Sequence, residues 1–93
     1  MPFVLHALDY ADALPRRMEV REKHLAQNAW FKKDGKLLYA AALMNEKGEM
    51  AGSLMVLDFT RAEIDAYLKT EPYVQNRVWE KITVNDCKVA AGF

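Results

Sequence analysis

The chain has a single cysteine, Cys87, so no disulfide can form within it. No N-terminal stretch combines basic residues, an apolar run and a small-residue cleavage site, and this pattern predicts a cytoplasmic location. A bilayer-spanning helix needs roughly 20 apolar residues in a row. The longest apolar run, Leu37–Met44, is far shorter. We therefore expect no membrane contact.

Excess charge of either sign is also lacking, since 13 acidic residues balance 13 basic ones. Without a net positive field or an aromatic RNP pattern, nucleic acid is not an expected partner. Only two histidines are present and there is no cluster of cysteines, so we expect no metal site. No cofactor is predicted either.

What remains is a composition typical of a folded protein, with 52% hydrophobic and 28% charged residues. Its 93 residues leave room for one small domain, which we place at residues 1–93. The hydrophobic periods and turn residues predict four strands and two helices. In chain order these are a strand at Phe3–Leu8, a helix at Asp12–Lys33, strands at Lys36–Met44 and Gly52–Phe59, a helix at Arg61–Thr70 and a strand at Val78–Val84.

Local signals mark several of these boundaries. Gly35 follows the first helix as a C-cap, and Thr60 with Glu63 forms a capping box before the second. Pro72 ends the second helix and is followed by a predicted turn over residues 73–76.

Apolar spacing also predicts which face of the first helix is buried. The expected core stripe consists of Leu14, Met18, Leu25 and Ala29. Trp30 and Phe31 fall on the opposite side, where we expect them to contact another chain or the tail.

The element order βαββαβ is that of a ferredoxin-like α+β fold, a four-stranded antiparallel sheet with both helices on one face. Leu37–Met44 and Leu54–Leu57 are apolar on both faces, although two helices cover only one. We therefore expect a homodimer through the open sheet face. The alternative is a surface that tolerates alanines and a tyrosine.

One polar stripe on the first helix is a candidate site. Arg17, Arg21 and Asn28 share a helical margin with His24, whose imidazole has an ordinary pKa near 6.5. Such a stripe can bind an anion beside a titratable group. Charged helix faces are common, so the spacing alone favours a solvated surface.

Glu71 is a second candidate, because Pro72 restricts its backbone to extended geometry and so aims its side chain. A rigid carboxylate can orient an imidazole. Spacing alone does not bring Glu71 to His24, and a surface carboxylate at a helix end is the ordinary alternative.

Three short motifs resemble those of the YCII-related family over nearly the whole chain. They are Arg21–Leu25, Gly35–Leu38 and Glu71–Val74. The resemblance implies a ferredoxin-like fold of the dimeric α-β barrel kind, with a site built around a histidine and an aspartate. His24 matches that histidine and Arg21 the arginine before it. Glu71 replaces the aspartate, and Ala41 stands where a glycine is common.

Family relatives in aromatic-compound breakdown include a dehydrochlorinase, and the wider superfamily contains lactone isomerases. The resemblance thus implies a proton-transfer enzyme of lyase or isomerase type that acts on a small anionic or aromatic compound. His24 and Glu71 would be its acid-base pair, which we expect to be in contact despite the extra methylene. Arg21 would bind the substrate, with Tyr73 as a pocket wall or hydroxyl donor. The alternative is a non-catalytic small-molecule binding or regulatory module.

Overall fold

The computed structural model describes residues 2–91. Within this range the sheet has the strand order β2-β3-β1-β4, and all three strand pairs are antiparallel. The elements are β1 (Phe3–Asp9), α1 (Leu14–Lys33), β2 (Leu37–Met44), β3 (Met50–Leu57), α2 (Arg61–Thr70), α3 (Pro72–Gln75) and β4 (Trp79–Asp86). This arrangement confirms the predicted ferredoxin-like α+β fold.

Local sequence chemistry accounts for most element boundaries. Gly35 has φ +74°, the left-handed conformation that suits a residue just after a helix. The capping box is present: Thr60 Oγ1 accepts from the Glu63 backbone N–H at 3.2 Å, and Glu63 Oε1 accepts from the Thr60 N–H at 2.8 Å. Asn45 closes the β2–β3 hairpin by accepting from two backbone N–H groups of the turn.

Several element boundaries differ from the prediction by one or two residues. The first helix begins at Leu14 instead of Asp12, and β3 runs from Met50 instead of Gly52. The predicted turn after Pro72 is the short helix α3. Proline is compatible with the first helical position because its missing N–H would have no partner there. It therefore ends α2 and also starts α3.

The core lies between the sheet and the two longer helices. Alternate residues of β1 and β3 point into it, among them the fully buried Leu5 and Leu57. Phe31 of α1 packs edge-on against Phe59 and Tyr67, with ring centroids 5.1 and 5.7 Å away. Phe31 therefore belongs to the core, which corrects the prediction that it faces outward. Trp30 does face outward and is 65% exposed.

The buried face of α1 is not the apolar stripe that the spacing predicts. Met18 is 51% exposed and Leu25 is 44% exposed. The buried residues of the helix are Arg17, Val20, His24 and Asn28. Polar side chains are stable in this position because other buried polar groups hydrogen-bond to them. A polar face of α1 is therefore turned toward the inside of the protein.

The opposite face of the sheet carries the side chains that the helices do not cover. Val4 pairs with Val56 across β1 and β3, and Tyr39 pairs with Val56 across β2 and β3. Tyr39 is 57% exposed, and Leu8 at the end of β1 is 42% exposed. On β2 and β3 this open face is apolar, as predicted from the sequence, whereas on β4 it carries the polar residues Lys81, Thr83 and Asn85.

Candidate functional site

A buried histidine–carboxylate pair lies between α1 and the α2–α3 junction. Glu71 Oε1 lies 2.5 Å from His24 Nδ1. Glu71 is fully buried and His24 is 6% exposed. The contact expected between these two residues is thus present. A hydrogen bond from an imidazole N–H to an ionised carboxylate is stronger than one between neutral groups.

The backbone around Pro72 positions Glu71. Its φ of −63° and ψ of 123° are extended, as required before a proline, and they separate α2 from α3. Glu71 Oε1 also accepts from the Tyr73 backbone N–H at 3.1 Å. The same oxygen therefore ties the start of α3 to His24. The carboxylate has little freedom to turn.

The second oxygen of Glu71, Oε2, is buried and has no hydrogen-bond partner among residues 2–91. The phenol of Tyr67 lies near this carboxylate. Burial, with the negative charge of Glu71 added to it, raises the pKa of Tyr67 far above its ordinary value. Tyr67 thus stays protonated.

Aromatic rings enclose the imidazole. Tyr73 stacks on His24 with ring centroids 3.9 Å apart and planes within 12°, and Trp79 meets it edge-on at 6.0 Å. Burial raises the pKa of Tyr73, with the guanidinium groups of Arg17 and Arg21 acting in the opposite direction. Its hydroxyl therefore stays neutral through the physiological range.

A second polar network lies beside the first. Arg17 forms a buried ion pair with Asp9, with Nη1 3.0 and 3.1 Å from the two carboxylate oxygens. Its Nη2 donates to Ser53 Oγ at 3.2 Å, which also accepts from Trp79 Nε1 at 3.1 Å. Burial raises the pKa of Asp9, and Arg17 opposes that shift.

Arg17 connects the two networks. Its guanidinium carbon lies 4.7 Å from the centre of the Tyr73 ring, which also stacks on His24. The sequence prediction included Arg17 in the polar stripe but missed Asp9, Ser53 and Trp79. The available signal was weak: Asp9 is the first charged residue after an apolar strand.

Asn28 contacts the other ring nitrogen of His24. Its Nδ2 lies 3.0 Å from Nε2, and its Oδ1 is buried without a hydrogen-bond partner among residues 2–91. Both imidazole nitrogens are thus hydrogen-bonded within the protein.

A cavity of about 140 Å³ opens between α1 and the strands β2 and β3. Its polar wall comes from α1 and includes His24, Arg21 and Asn28, and its apolar wall includes Ala40, Ala42 and Met55. Tyr73 also lines it. The predicted site residues His24, Arg21 and Tyr73 thus share one cavity, while Glu71 lies behind His24. Ala41 lines the cavity too.

Arg21 differs from Arg17 in its surroundings. Arg21 is exposed, and the structure gives it no ion pair with any of the described residues. In the described range, no three histidine, cysteine, aspartate or glutamate residues are grouped so that they could hold a metal ion. Nor does that range contain a helix that is long and apolar enough to cross a membrane.

The fold and the site define a class: a ferredoxin-like α+β protein with a buried histidine–carboxylate pair beside a small cavity. Residues 1–88 match the YCII-related domain. The chain belongs to this family.

Two curated relatives are informative. The chain is 33% identical over 95 residues to Protein YciI of Escherichia coli O6:H1, which covers 95% of this chain and 97% of the relative. It is 29% identical over 80 residues to aspercryptin biosynthesis cluster protein B of Emericella nidulans. That match covers 77% of this chain but about half, 51%, of the fungal protein.

Among solved structures, 5-chloro-2-hydroxyhydroquinone dehydrochlorinase (TftG) of Burkholderia phenoliruptrix AC1100 superposes with a TM-score of 0.86. The match covers 97% of this chain and 96% of that enzyme at 18% sequence identity, and the enzyme is in complex with 2,5-dihydroxybenzoquinone. At this identity the likeness establishes a shared fold.

Proposed function

We propose that the protein is a proton-transfer enzyme of lyase or isomerase type that acts on a small anionic or aromatic compound. The observation that carries this proposal is the buried His24–Glu71 pair beside the cavity. A carboxylate that accepts from Nδ1–H fixes the tautomer of the imidazole and stabilises its charged form. Nε2 is then the atom that takes a proton from the substrate and returns it.

The size of the cavity supports a substrate with one ring. Its volume is about 140 Å³, and an apolar cavity of about 150 Å³ is known to hold benzene. The alanine side chains of β2 offer a flat apolar wall to such a ring. Arg21 at the cavity supplies a cation for a carboxylate or phenolate group.

Dehydrochlorination is the reaction that the TftG comparison suggests for this site. In that reaction the substrate loses a proton to a base and a chloride ion to solvent, so the products are the dechlorinated compound and HCl. His24 would be the base, and Glu71 would stabilise the imidazolium that forms. An isomerase would use the same residues and return the proton to another atom.

Two experiments test this proposal. One is an NMR titration of His24 in the wild-type protein, Glu71→Gln and Glu71→Asp, and the other is a chloride-release assay of the same proteins on chlorinated hydroquinones. We expect Glu71→Gln to lower the titration midpoint of His24, because the imidazolium loses its negative partner. We also expect it to reduce turnover by roughly 10²- to 10⁴-fold. Glu71→Asp should change both the midpoint and the turnover less than Glu71→Gln does. An unchanged midpoint and unchanged turnover in Glu71→Gln would refute the pair.

The second candidate function is a non-catalytic small-molecule binding or regulatory module. The contact of Asn28 with Nε2 favours it, because the nitrogen that a catalytic base needs is already hydrogen-bonded. A module of this kind would be stabilised by a ligand such as 2,5-dihydroxybenzoquinone in a thermal-shift assay, and His24→Ala would weaken the effect, without turnover of any substrate.

We also propose that the protein works as a homodimer whose protomers meet through the open sheet face. Support comes from the apolar side chains on that face, including Val4, Tyr39 and Val56, which the helices do not cover. A second copy presents the same apolar surface, so a two-fold arrangement is self-complementary.

A further inference from the structure

Asn28 meets His24 in a geometry that fixes the direction of its carboxamide. It follows His24 by one helical turn and is 8% exposed. Because Nδ1–H of the neutral imidazole donates a hydrogen bond to Glu71, Nε2 has only a lone pair, which needs an N–H or O–H donor. The amide nitrogen Nδ2, 3.0 Å away, therefore points at Nε2 and donates to it. This assignment follows from hydrogen-bond chemistry.

In the same geometry, no donor group among residues 2–91 reaches Oδ1 of Asn28. This oxygen is buried. A buried carbonyl oxygen in this state costs free energy. If His24 takes up a proton at Nε2, that nitrogen becomes a donor and repels the Nδ2–H group. A half-turn about the Cβ–Cγ bond would exchange the two ends of the amide, and Oδ1 would then accept from Nε2–H.

We propose that Asn28 is a positioning residue that holds Nε2 of His24 in the unliganded protein and turns its carboxamide over when that nitrogen takes up a proton. The inference rests on the proposed function in one respect, since it takes Nε2 as the proton-accepting atom. A substrate must displace the Nδ2–H group to reach this atom. Asn28 would therefore keep the base hydrogen-bonded and aligned until a ligand enters the cavity.

The charged and titratable groups around His24 are few. Glu71 and Tyr73 face it from the α2–α3 junction, and Tyr73 also contacts Arg17, whose charge Asp9 balances. Arg21 lines the same cavity. The cavity walls from β2 and β3 carry no charged side chain, and β4 contributes the uncharged Trp79. Asn28 is thus the polar group that faces Nε2 directly.

The test is an NMR titration of His24 in the wild-type protein, Asn28→Leu, Asn28→Asp and a control, Gln27→Leu. Leucine has the branching of asparagine at Cγ but cannot accept from Nε2–H, so we expect the midpoint to fall. Aspartate places a negative charge there, so we expect a rise of about one pH unit or more. Gln27 lies on the same helix but does not line the cavity, and its variant should keep the wild-type midpoint.

A measurement on the wild-type protein does not depend on the folding of any variant. The side-chain amide proton signals of Asn28 should shift with pH at the same midpoint as the His24 ring. Amide signals that stay constant across the His24 titration overturn the proposal, as do unchanged midpoints in both Asn28 variants.

The outcomes also separate this inference from the proposed function. If Glu71→Gln shifts the His24 midpoint while the Asn28 variants do not, the acid-base pair stands and the role of Asn28 is refuted. If the Asn28 variants shift the midpoint and Glu71→Gln does not, Asn28 positions the ring and the catalytic pair is refuted.

Discussion

The two arginines of the site share a helix but have different electrostatic surroundings. Arg17 is buried, and the carboxylate of Asp9 neutralises its charge. Arg21, four residues further along, is exposed at the cavity and has no ion pair within the described range. A buried, paired guanidinium supports the structure, whereas an exposed one is available to a ligand. The two residues should therefore respond differently to substitution.

For Arg21→Ala we expect weaker binding of 2,5-dihydroxybenzoquinone, an acidic hydroxyquinone, with little change in melting temperature. Loss of one charge-assisted hydrogen bond of about 1.5 kcal/mol corresponds to roughly a tenfold rise in Kd. Calorimetric titration and a thermal melt measure the two quantities. Lys23→Ala, on the same helix but away from the cavity, is the matched control. A large fall in melting temperature would show instead that Arg21 is structural.

The buried phenols give a second prediction at this scale, on alkaline stability. Burial raises the pKa of Tyr67 and Tyr73 above the ordinary value of 10.0. The unfolded chain therefore releases these protons at a lower pH than the folded protein does. Below about pH 10 both phenols contribute fully to the free energy of unfolding. Above that pH the contribution is lost, by up to ~1.4 kcal/mol per pH unit for Tyr67.

Urea unfolding at several pH values between 8 and 11 measures this loss. Tyr67→Phe should make the free energy of unfolding fall less steeply above pH 10. Phenylalanine has no phenol proton that the unfolded chain releases and the folded protein retains. Tyr39→Phe is the control, since Tyr39 is 57% exposed. Equal slopes in the wild-type protein and Tyr67→Phe would contradict the prediction.

At the scale of the elements, local chemistry explains what could be predicted from sequence. The capping box at Thr60, the left-handed Gly35 and the hairpin turn at Asn45 each depend on residues a few positions apart. Such signals are contained in a short stretch of chain and are independent of tertiary packing. The strand and helix order follows from them together with the hydrophobic periods.

The buried face of α1 could not be predicted in this way. Hydrophobic periodicity assigns apolar residues to the core, but in this helix Arg17 and His24 are buried and Met18 is exposed. The polar residues are stable inside because Asp9 and Glu71 meet them, and Glu71 lies 47 positions away from His24 in the chain. Periodicity within one helix contains no information on such partners.

Of the contacts around His24, the one with Glu71 was predicted from the sequence and the others were not. The family motifs singled out His24 and Glu71, and the extended backbone before Pro72 accounts for their contact. The supporting network of Asp9, Ser53 and Trp79 was missed, because it joins three strands whose pairing the sequence does not specify residue by residue. Asn28 was placed in the polar stripe, but its contact with Nε2 becomes visible only in three dimensions.

At the scale of the whole molecule, two separate apolar surfaces remain outside the core. One is the apolar part of the open sheet face, which includes Val56 and the exposed Tyr39. The other is on α1, where Met18 is 51% exposed and Leu25, on the same side of the helix, is 44% exposed. A dimer through the sheet would cover the first surface and leave the second accessible. A charged substitution on each surface can thus show which of the two forms the dimer interface.

We predict that light scattering at micromolar concentration gives twice the 10.7 kDa mass of one chain. A specific interface of this kind buries upwards of about 1,000 Å² in total. Val56→Lys places a charge among the apolar side chains of the open face, so it should convert the dimer to a monomer because an unpaired charge is costly to bury. Met18→Lys puts the same charge on α1 and should leave the dimer intact. A monomer mass for the wild-type protein would refute the dimer, and dissociation by Met18→Lys but not by Val56→Lys would move the interface from the sheet to α1.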